Sequence, residues 1–582
     1  MKKNCGVPTT ILVAIMAPLL FDLCQNFGNS HALTEEMDQT KIYHHAAVAA
    51  GQLECSEVGR DILKAGGNAV DAAIAVILCQ GVVEPYFSGI GGGCIMTIYN
   101  SSTKSTTSII SRERAPSAAT RDMFLGMGNN KHGAKFIAVP GELKGLEYAY
   151  NKYGGNLCWD KLFQPAIDKA RNGFKVSGQM AIMLKYLYDK VIIEDPDSIF
   201  CDVYCNEDKS GVKQEGDIVK NPLLADTLEK IQKQGVDVFY SGEIADSIIH
   251  DIQSRGGIMT KQDLLDYTVI EKSTIKMRLP NGDHTMHAPP LPSGGPVVAA
   301  ILSVMDLFDI TLEEFKRTPT LQYHRTDEAF RHAFGARYSM GDPAYDQIAL
   351  NIQNQIVSGQ YARSVRTKIF DDKTFHDPAY YGAKFLDSSI SSTLHISVLD
   401  PEGNAVALTS TIDYYWGSRI MSSSTGIVFN NEMADFSYPN GDSEHDSELS
   451  ATNQIEGGKI PLSSMTPAMF LNDNDDLAFI IGASGGTRIP AAIATVILKF
   501  LYFGENDIGS AIKDKRFFDA LIPDVLYYDA GFDDEIIQNL KKIGHNVRET
   551  TYTGRVNAIK CNSSAIYAFS DLRDIGAGPS GW

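Results

Sequence analysis

A threonine at position 393 stands mid-chain in "SSISSTLHISVLDPEGNAVALTSTI", residues 388–412. A threonine hydroxyl is a useful nucleophile only beside a base. Leu394, Ile396 and Val398 alternate with Thr393, His395 and Ser397, the period of a half-buried strand. Val406, Leu408 and Ile412 continue the pattern on a return strand. The "DPEGN" between them suits a turn, with Pro401 at its first position and Gly403 at a left-handed bulge. If Asp400 faces Asn404, the same register sets Thr393 opposite Thr411. Two hydroxyls then lie side by side at the open end of a hairpin, either as an ordinary cross-strand pair or as a site.

Other stretches carry chemistry-bearing side chains. "GASGG", residues 482–486, follows a strand pattern and precedes a helical one, the context of a serine nucleophile elbow. Ser484 with His545 and Asp524 or Asp529 meets the chain order of an α/β-hydrolase triad. "GIGGG" fails the dinucleotide pattern G-x-G-x-x-G at Cys94, and a strand follows it, which argues against nucleotide binding. Arg112 in "SRERAP", Glu432 and Asp435 in "NNEMADFS", and Ser463-Ser464 in "PLSSM" are each ordinary alone: a surface ion pair, a solvated face and a turn. No C-x-x-C or H-x-x-x-H spacing appears, which argues against a zinc centre.

The elements that must position these groups are partly legible. "SEVGRDILKAGGNAVDAAIAVILCQGVVEP" reads as two helices broken at Gly66-Gly67, with Asn68 and Asp71 starting the second. That second helix is apolar on nearly every side and belongs in a core. Residues 140–340 read as mainly helical and 393–500 as richer in strands, which favours a layered α/β fold. Hydrophobic content of 44% and charged content of 21% over 582 residues suit a large globular protein. A net charge of −19 argues against a nucleic-acid partner.

Lys2 and Lys3 precede an apolar run from Ile11 to Phe21, and Ser30-His31-Ala32 is a small-x-small cleavage site. Residues 1–32 therefore read as a signal peptide or an N-terminal anchor, and the rest as extracellular, secreted or held at the cell surface. In an oxidising compartment, Cys55 and Cys79 could staple the helical pair and Cys201 and Cys205 could close a small loop; spacing alone leaves the connectivity open. Asn100 and Asn562 begin N-S-S sequons.

Taken in order, "SRERAP", "GIGGG", "STLHISVLDPEGNAVALTSTI", "GIVFNNEMADFS", "PLSSMTPAM" and "GASGGTRI" resemble the γ-glutamyltranspeptidase (glutathione hydrolase) family from about residue 43 to the C-terminus. The resemblance implies an N-terminal-nucleophile hydrolase with an αββα sandwich. It implies a precursor that cuts its own backbone between Ser392 and Thr393 into a large subunit, 33–392, and a small one, 393–582, which stay together as a heterodimer. The freed α-amine of Thr393, with a pKa of roughly 7.7–8.0, would serve as the base its hydroxyl lacks. By matched position, Thr411 supports Thr393, and Gly485 and Gly486 form an oxyanion hole. Arg112, Ser463 and Ser464 take the substrate α-carboxylate; Glu432 and Asp435 take its ammonium. Cys55/Cys79 and Cys201/Cys205 match disulfide-bonded pairs of animal relatives, and Tyr415 matches a tyrosine over the donor site. The implied substrates are glutathione and other γ-glutamyl compounds, with amino acids or dipeptides as acceptors and no cofactor. Asp413 departs from the family's usual asparagine, which helps hold the donor's amino-acid end; a carboxylate there can still accept from the donor ammonium, but it would repel the nearby α-carboxylate. Two rival readings remain: a Ser484 esterase, and a family member of weak activity with a binding role.

Overall fold

In the computed structural model, residues 40–128, 130–195, 198–383, 392–439, 449–562 and 564–582 are described. The expected leader, 1–32, lies outside them, as do residues 388–391 of the nucleophile stretch.

Two seven-stranded sheets form the centre of the fold. The first runs, in spatial order, through Lys41–Tyr43, Ile566–Ser570, Arg555–Cys561, Leu477–Ser484, Ala468–Leu471, His284–Ala288 and Ile275–Leu279. The second runs through Gly578–Gly581, Ala47–Ala50, Leu394–Leu399, Ala405–Thr411, Gly93–Asn100, Ser105–Ser111 and Ile270–Ser273. All pairings within both sheets are antiparallel.

Side-chain alternation divides each sheet between two cores. Ala47, Ala49, Leu399, Ala405 and Ala407 of the second sheet meet Met469, Leu471, Ile480 and Ile559 of the first. The opposite face of the second sheet, with Val48, Ile396, Val398, Val406 and Leu408, packs on the helices Leu53–Lys64, Ala69–Val83, Glu142–Tyr153 and Trp159–Asn172. The opposite face of the first sheet packs on Gly295–Asp306, Pro319–Arg337 and Arg488–Leu501. The architecture is the four-layer αββα sandwich, with strands from both sides of residue 392 interleaved in each sheet.

Local signals acted where they were read. The Asn68 side chain accepts from the amides of Val70 and Asp71, and the Asp71 carboxylate accepts from the Asn68 amide, a capping box that opens the helix Ala69–Val83. Cys79 on that helix is disulfide-bonded to Cys55 on Leu53–Lys64, and Cys201 is bonded to Cys205.

The hairpin departs from expectation in one respect. Its polar face was read as solvated, yet every residue of Leu394–Leu399 and Ala405–Thr411 is buried. The first sheet covers that face, so its polar groups pair within the protein. His395 Nδ1 contacts Thr409 Oγ1 at 2.9 Å, His395 Nε2 contacts Ser397 Oγ at 3.1 Å, and Asn557 Nδ2 donates to the His395 carbonyl at 2.7 Å. Gly482 on the facing sheet leaves room for the imidazole, since a Cβ there would fall 2.3 Å from the ring.

Candidate active site

The hairpin register is the one that the turn implies. Leu394 pairs with Ser410 and Leu399 with Ala405, so Thr393 falls opposite Thr411 at the open end. The turn sets it: Asp400 N donates to the Asn404 carbonyl, Asn404 N donates to Asp400 Oδ1, and Gly403 takes φ +81°. Thr393 and Thr411 both face the space between the sheets and are almost fully buried.

Both hydroxyls converge on one carbonyl. Thr393 Oγ1 and Thr411 Oγ1 each donate to the Ser392 oxygen at 2.5 Å. The Asp413 amide donates to Thr411 Oγ1 at 2.9 Å, which occupies a lone pair and leaves the Thr411 proton aimed at Ser392. Ser392 is held in turn, its amide and its Oγ both donating to the Asp413 carbonyl, the latter at 2.7 Å. The peptide bond expected to break is therefore clamped at its carbonyl by two hydroxyl donors.

Thr393 and Thr411 line a narrow cleft with Arg112, Arg337, Glu432, Asp435, Ser463, Ser464 and Gly486. These positions are separated by up to several hundred residues and meet only in the fold. Arg112 ends the strand Ser105–Ser111 and lies 2.5 Å from both Glu432 Oε1 and Asp435 Oδ2. Its Nε donates to the Pro461 carbonyl at 2.9 Å. Burial opposes the guanidinium charge, but the carboxylates of Glu432, Asp435 and Glu113 outweigh it and hold the proton more tightly than usual. Burial conversely pushes Glu432 well above the ordinary carboxylate range despite Arg112, and pushes Glu113 up to about 7.

Gly485 and Gly486 form the turn after Leu477–Ser484, at φ +119° and +60°. A Cβ on Gly485 would stand 2.8 Å from Tyr552 Oη, so both backbone conformation and space call for glycine there.

Asp413 has φ +72°, a left-handed conformation that Asp and Asn tolerate better than most residues. Its side chain is fully buried and, among the described residues, neither carboxylate oxygen has a hydrogen-bond partner. Burial, then the neighbouring Asp435 charge, raises its pKa well above the usual carboxylate value, with Arg112 and Lys131 opposing. Burial thus favours the neutral form of Asp413, the form closest in shape to asparagine.

Several positioning residues escaped the sequence reading. Asn430 uses its whole side-chain amide, accepting from Ala138 N and Glu432 N and donating to the Gly91 and Ala138 carbonyls. It thereby fixes the backbone that presents Glu432. Asn431 accepts from the Tyr414 amide and holds the turn that carries Asp413. The "GIGGG" run serves close packing: a Cβ on Gly92 would fall 2.1 Å from the Thr411 carbonyl. Arg337, at the end of Pro319–Arg337, brings a second guanidinium to the cleft, with Nη2 3.4 Å from Ser464 Oγ. Their partners are too far along the chain for spacing to reveal.

The serine-esterase constellation does not assemble. His545 Nε2 meets His324 Nδ1 at 2.7 Å and its Nδ1 lies 2.8 Å from Asp327, so the ring sits among His324 and Asp327 and not with Ser484. His324, Glu328 and His545 are also spaced for a metal ion. The direct imidazole hydrogen bond accounts for the pair without one.

The γ-glutamyltranspeptidase family model matches residues 55–580. Scoloptoxin SSD14 of Scolopendra dehaani is 39% identical over 512 residues, covering 87% of each chain. Glutathione hydrolase 2 of Arabidopsis thaliana is 38% identical over 529 residues, covering 89% of this chain and 87% of the relative. A cephalosporin acylase from Bacillus halodurans shares the fold with a TM-score of 0.80 at 23% identity, over 96% of this chain and 99% of that one. The γ-glutamyltranspeptidase of Helicobacter pylori aligns at a TM-score of 0.51 and 29% identity, over 55% of this chain and 90% of its own. On the matched length and on these relatives, this chain, an N-terminal-nucleophile hydrolase by fold, belongs to the γ-glutamyltranspeptidase family.

Proposed function

We propose that this protein is a self-processing glutathione hydrolase and γ-glutamyltransferase, and that Thr393 is its nucleophile. The observation that carries the reading is the pair of threonine hydroxyls on the Ser392 carbonyl, inside the same cleft as Arg112, Glu432, Asp435, Ser463 and Ser464.

In the uncut chain, Thr393 Oγ attacks the Ser392 carbonyl carbon. Thr411 Oγ stabilises the oxygen as charge develops there. The C–N bond breaks, the hydroxyl proton ends on the nitrogen, and water cleaves the resulting ester. The products are a Ser392 carboxylate and a free Thr393 amine, so the 33–392 and 393–582 pieces become two chains of one interleaved fold. The amine then takes the Thr393 hydroxyl proton during attack on a γ-glutamyl amide. Arg112, Ser463 and Ser464 receive the donor α-carboxylate, and Glu432 and Asp435 its ammonium, with Gly485 and Gly486 amides at the oxyanion. The leaving amine departs protonated, a γ-glutamyl ester remains on Thr393, and water or an amino-acid or dipeptide amine resolves it. Action outside the cytosol is supported by the two disulfides and by the exposure of Asn100 and Asn562.

The test is steady-state release of the aniline from a γ-glutamyl anilide by purified processed protein, with and without Gly-Gly. Release that Gly-Gly accelerates is expected; a processed but inert protein would overturn the enzymatic reading and favour a binding role.

Asp413→Asn should act through pH. At low pH both side chains are neutral and donor KM is similar. As pH rises, Asp413 begins to ionise beside the donor carboxylate, and the wild-type KM climbs while that of the variant stays flat. A charge screened to about 1 kcal/mol gives a roughly fivefold separation at alkaline pH. Stability has the same sign: a raised carboxyl pKa costs folding free energy once pH exceeds its unfolded value of roughly 3.9. The variant should therefore melt above wild type at pH 8, with the gap closing toward pH 4. Parallel KM profiles would refute this.

A further inference from the structure

The donor cleft accounts for one end of a γ-glutamyl amide; the other end must leave past the oxyanion turn. That turn has two sides. Gly486, Thr487 and Ile489 line the donor cleft, whereas Gly485 lies against Tyr552 and Arg488 turns toward the same tyrosine. The Arg488 guanidinium sits 5.4 Å from the Tyr552 ring centroid and 5.3 Å from that of Phe518, and its Nε donates to the Tyr552 carbonyl at 3.2 Å. It is partly exposed, and among the described residues it pairs with no carboxylate. In a chain of net charge −19 an arginine so placed is conspicuous. Arg555, 5.1 Å from the Tyr552 ring centroid, differs: it is buried and engaged by Gln179 and Asp574. Tyr415 stands edge to face with Tyr186, 5.8 Å apart by ring centroids, and is not among the residues that line the donor cleft.

We infer that Arg488 binds the C-terminal carboxylate of the leaving dipeptide, and of a dipeptide acceptor on the return path, beside Tyr552. The inference rests on the γ-glutamyl-transfer reading above. With the donor's amino-acid end in the cleft and its carbonyl oxygen at Gly485–Gly486, the amide nitrogen points away from the cleft and across the turn. A dipeptide leaving group carries its one fixed negative charge at its C-terminus. Guanidinium is the side chain best matched to a carboxylate, through a two-pronged contact, and Arg488 opens the helix Arg488–Leu501, whose N-terminal end also favours an anion. Acceptor attack is the reverse of leaving-group departure, so one site serves both.

The test compares three donors: glutathione, glutathione with its glycine carboxylate amidated, and a γ-glutamyl anilide with no carboxylate in its leaving group. Wild type should show a KM roughly tenfold higher for the amide than for glutathione. Arg488→Gln should raise the glutathione KM about tenfold, abolish the preference over the amide and leave anilide hydrolysis within twofold. Arg488→Lys should restore part of the preference. Equal wild-type KM for glutathione and its amide, or equal losses on all three donors in Arg488→Gln, would overturn the assignment alone. A processed wild-type enzyme inert on the anilide would overturn the donor reading and the Arg488 site with it.

Discussion

Thr393→Ala should remain a single chain of precursor size on a denaturing gel and should lose at least ~10³-fold in γ-glutamyl anilide hydrolysis, the scale of deleting a nucleophile. Both outcomes follow from one geometry. The Thr393 hydroxyl lies 2.5 Å from the oxygen of the carbonyl it is proposed to attack, so its removal takes away the group that breaks the bond and the group that later turns over substrate. Thr393 is buried and the substitution deletes only a hydroxyl and a methyl, so the fold should persist. Thr393→Ser keeps the hydroxyl and should still cut, more slowly, because serine lacks the β-methyl that limits χ1. Thr411→Ala is the informative partner. It removes one of two donors to the Ser392 carbonyl, and the loss of one such donor slows related reactions about 10²-fold or more. Processing half-lives by gel densitometry check the series. A Thr393→Ala chain that still divides at 392–393 would remove Thr393 from the cutting step.

Arg112→Gln should have the second-largest effect, on donor affinity and on stability together. Arg112 is 1% exposed and faces Glu432 and Asp435 at 2.5 Å each, with Glu113 at 3.9 Å. Breaking a buried ion pair from one side costs about 3–5 kcal/mol, because the remaining charges are left uncompensated. The lost carboxylate contact, a charge-assisted bond of about 1.5–3 kcal/mol, should raise donor KM by roughly 10- to 100-fold. The pH dependence sharpens the test. Glu113 and Glu432 are already raised by burial and are held down by Arg112. Without the guanidinium they rise further, and a raised carboxyl loses stability as pH climbs from its unfolded value of roughly 4.3 through its folded one. The variant should therefore melt lowest relative to wild type at alkaline pH and recover toward pH 5. Arg112→Lys should keep much of the stability and little of the affinity, since a point charge cannot span both carboxylates in the same fork. An unchanged KM with a lowered melting temperature would reduce Arg112 to a structural role.

What could be read without a structure was set by neighbours. The hairpin register, and with it the Thr393–Thr411 pair, follows from a five-residue turn closed by hydrogen bonds among Asp400, Gly403 and Asn404. The cap at Asn68 and Asp71 spans four residues. Arg112, Glu432, Asp435, Ser463 and Ser464 stood out only as members of an ordered set, since each alone resembles ordinary surface chemistry. The tertiary structure decided the rest. It covered the polar face of the hairpin with the first sheet and brought Arg337 to Ser464. It also gave Asn430 the task of holding Glu432, and buried Asp413 so that its carboxyl pKa rises well above the usual value. The physical reason is range: turns and caps are settled by hydrogen bonds a few residues long, whereas burial, and through it the charge state of a carboxyl, depends on groups that only the folded chain brings together.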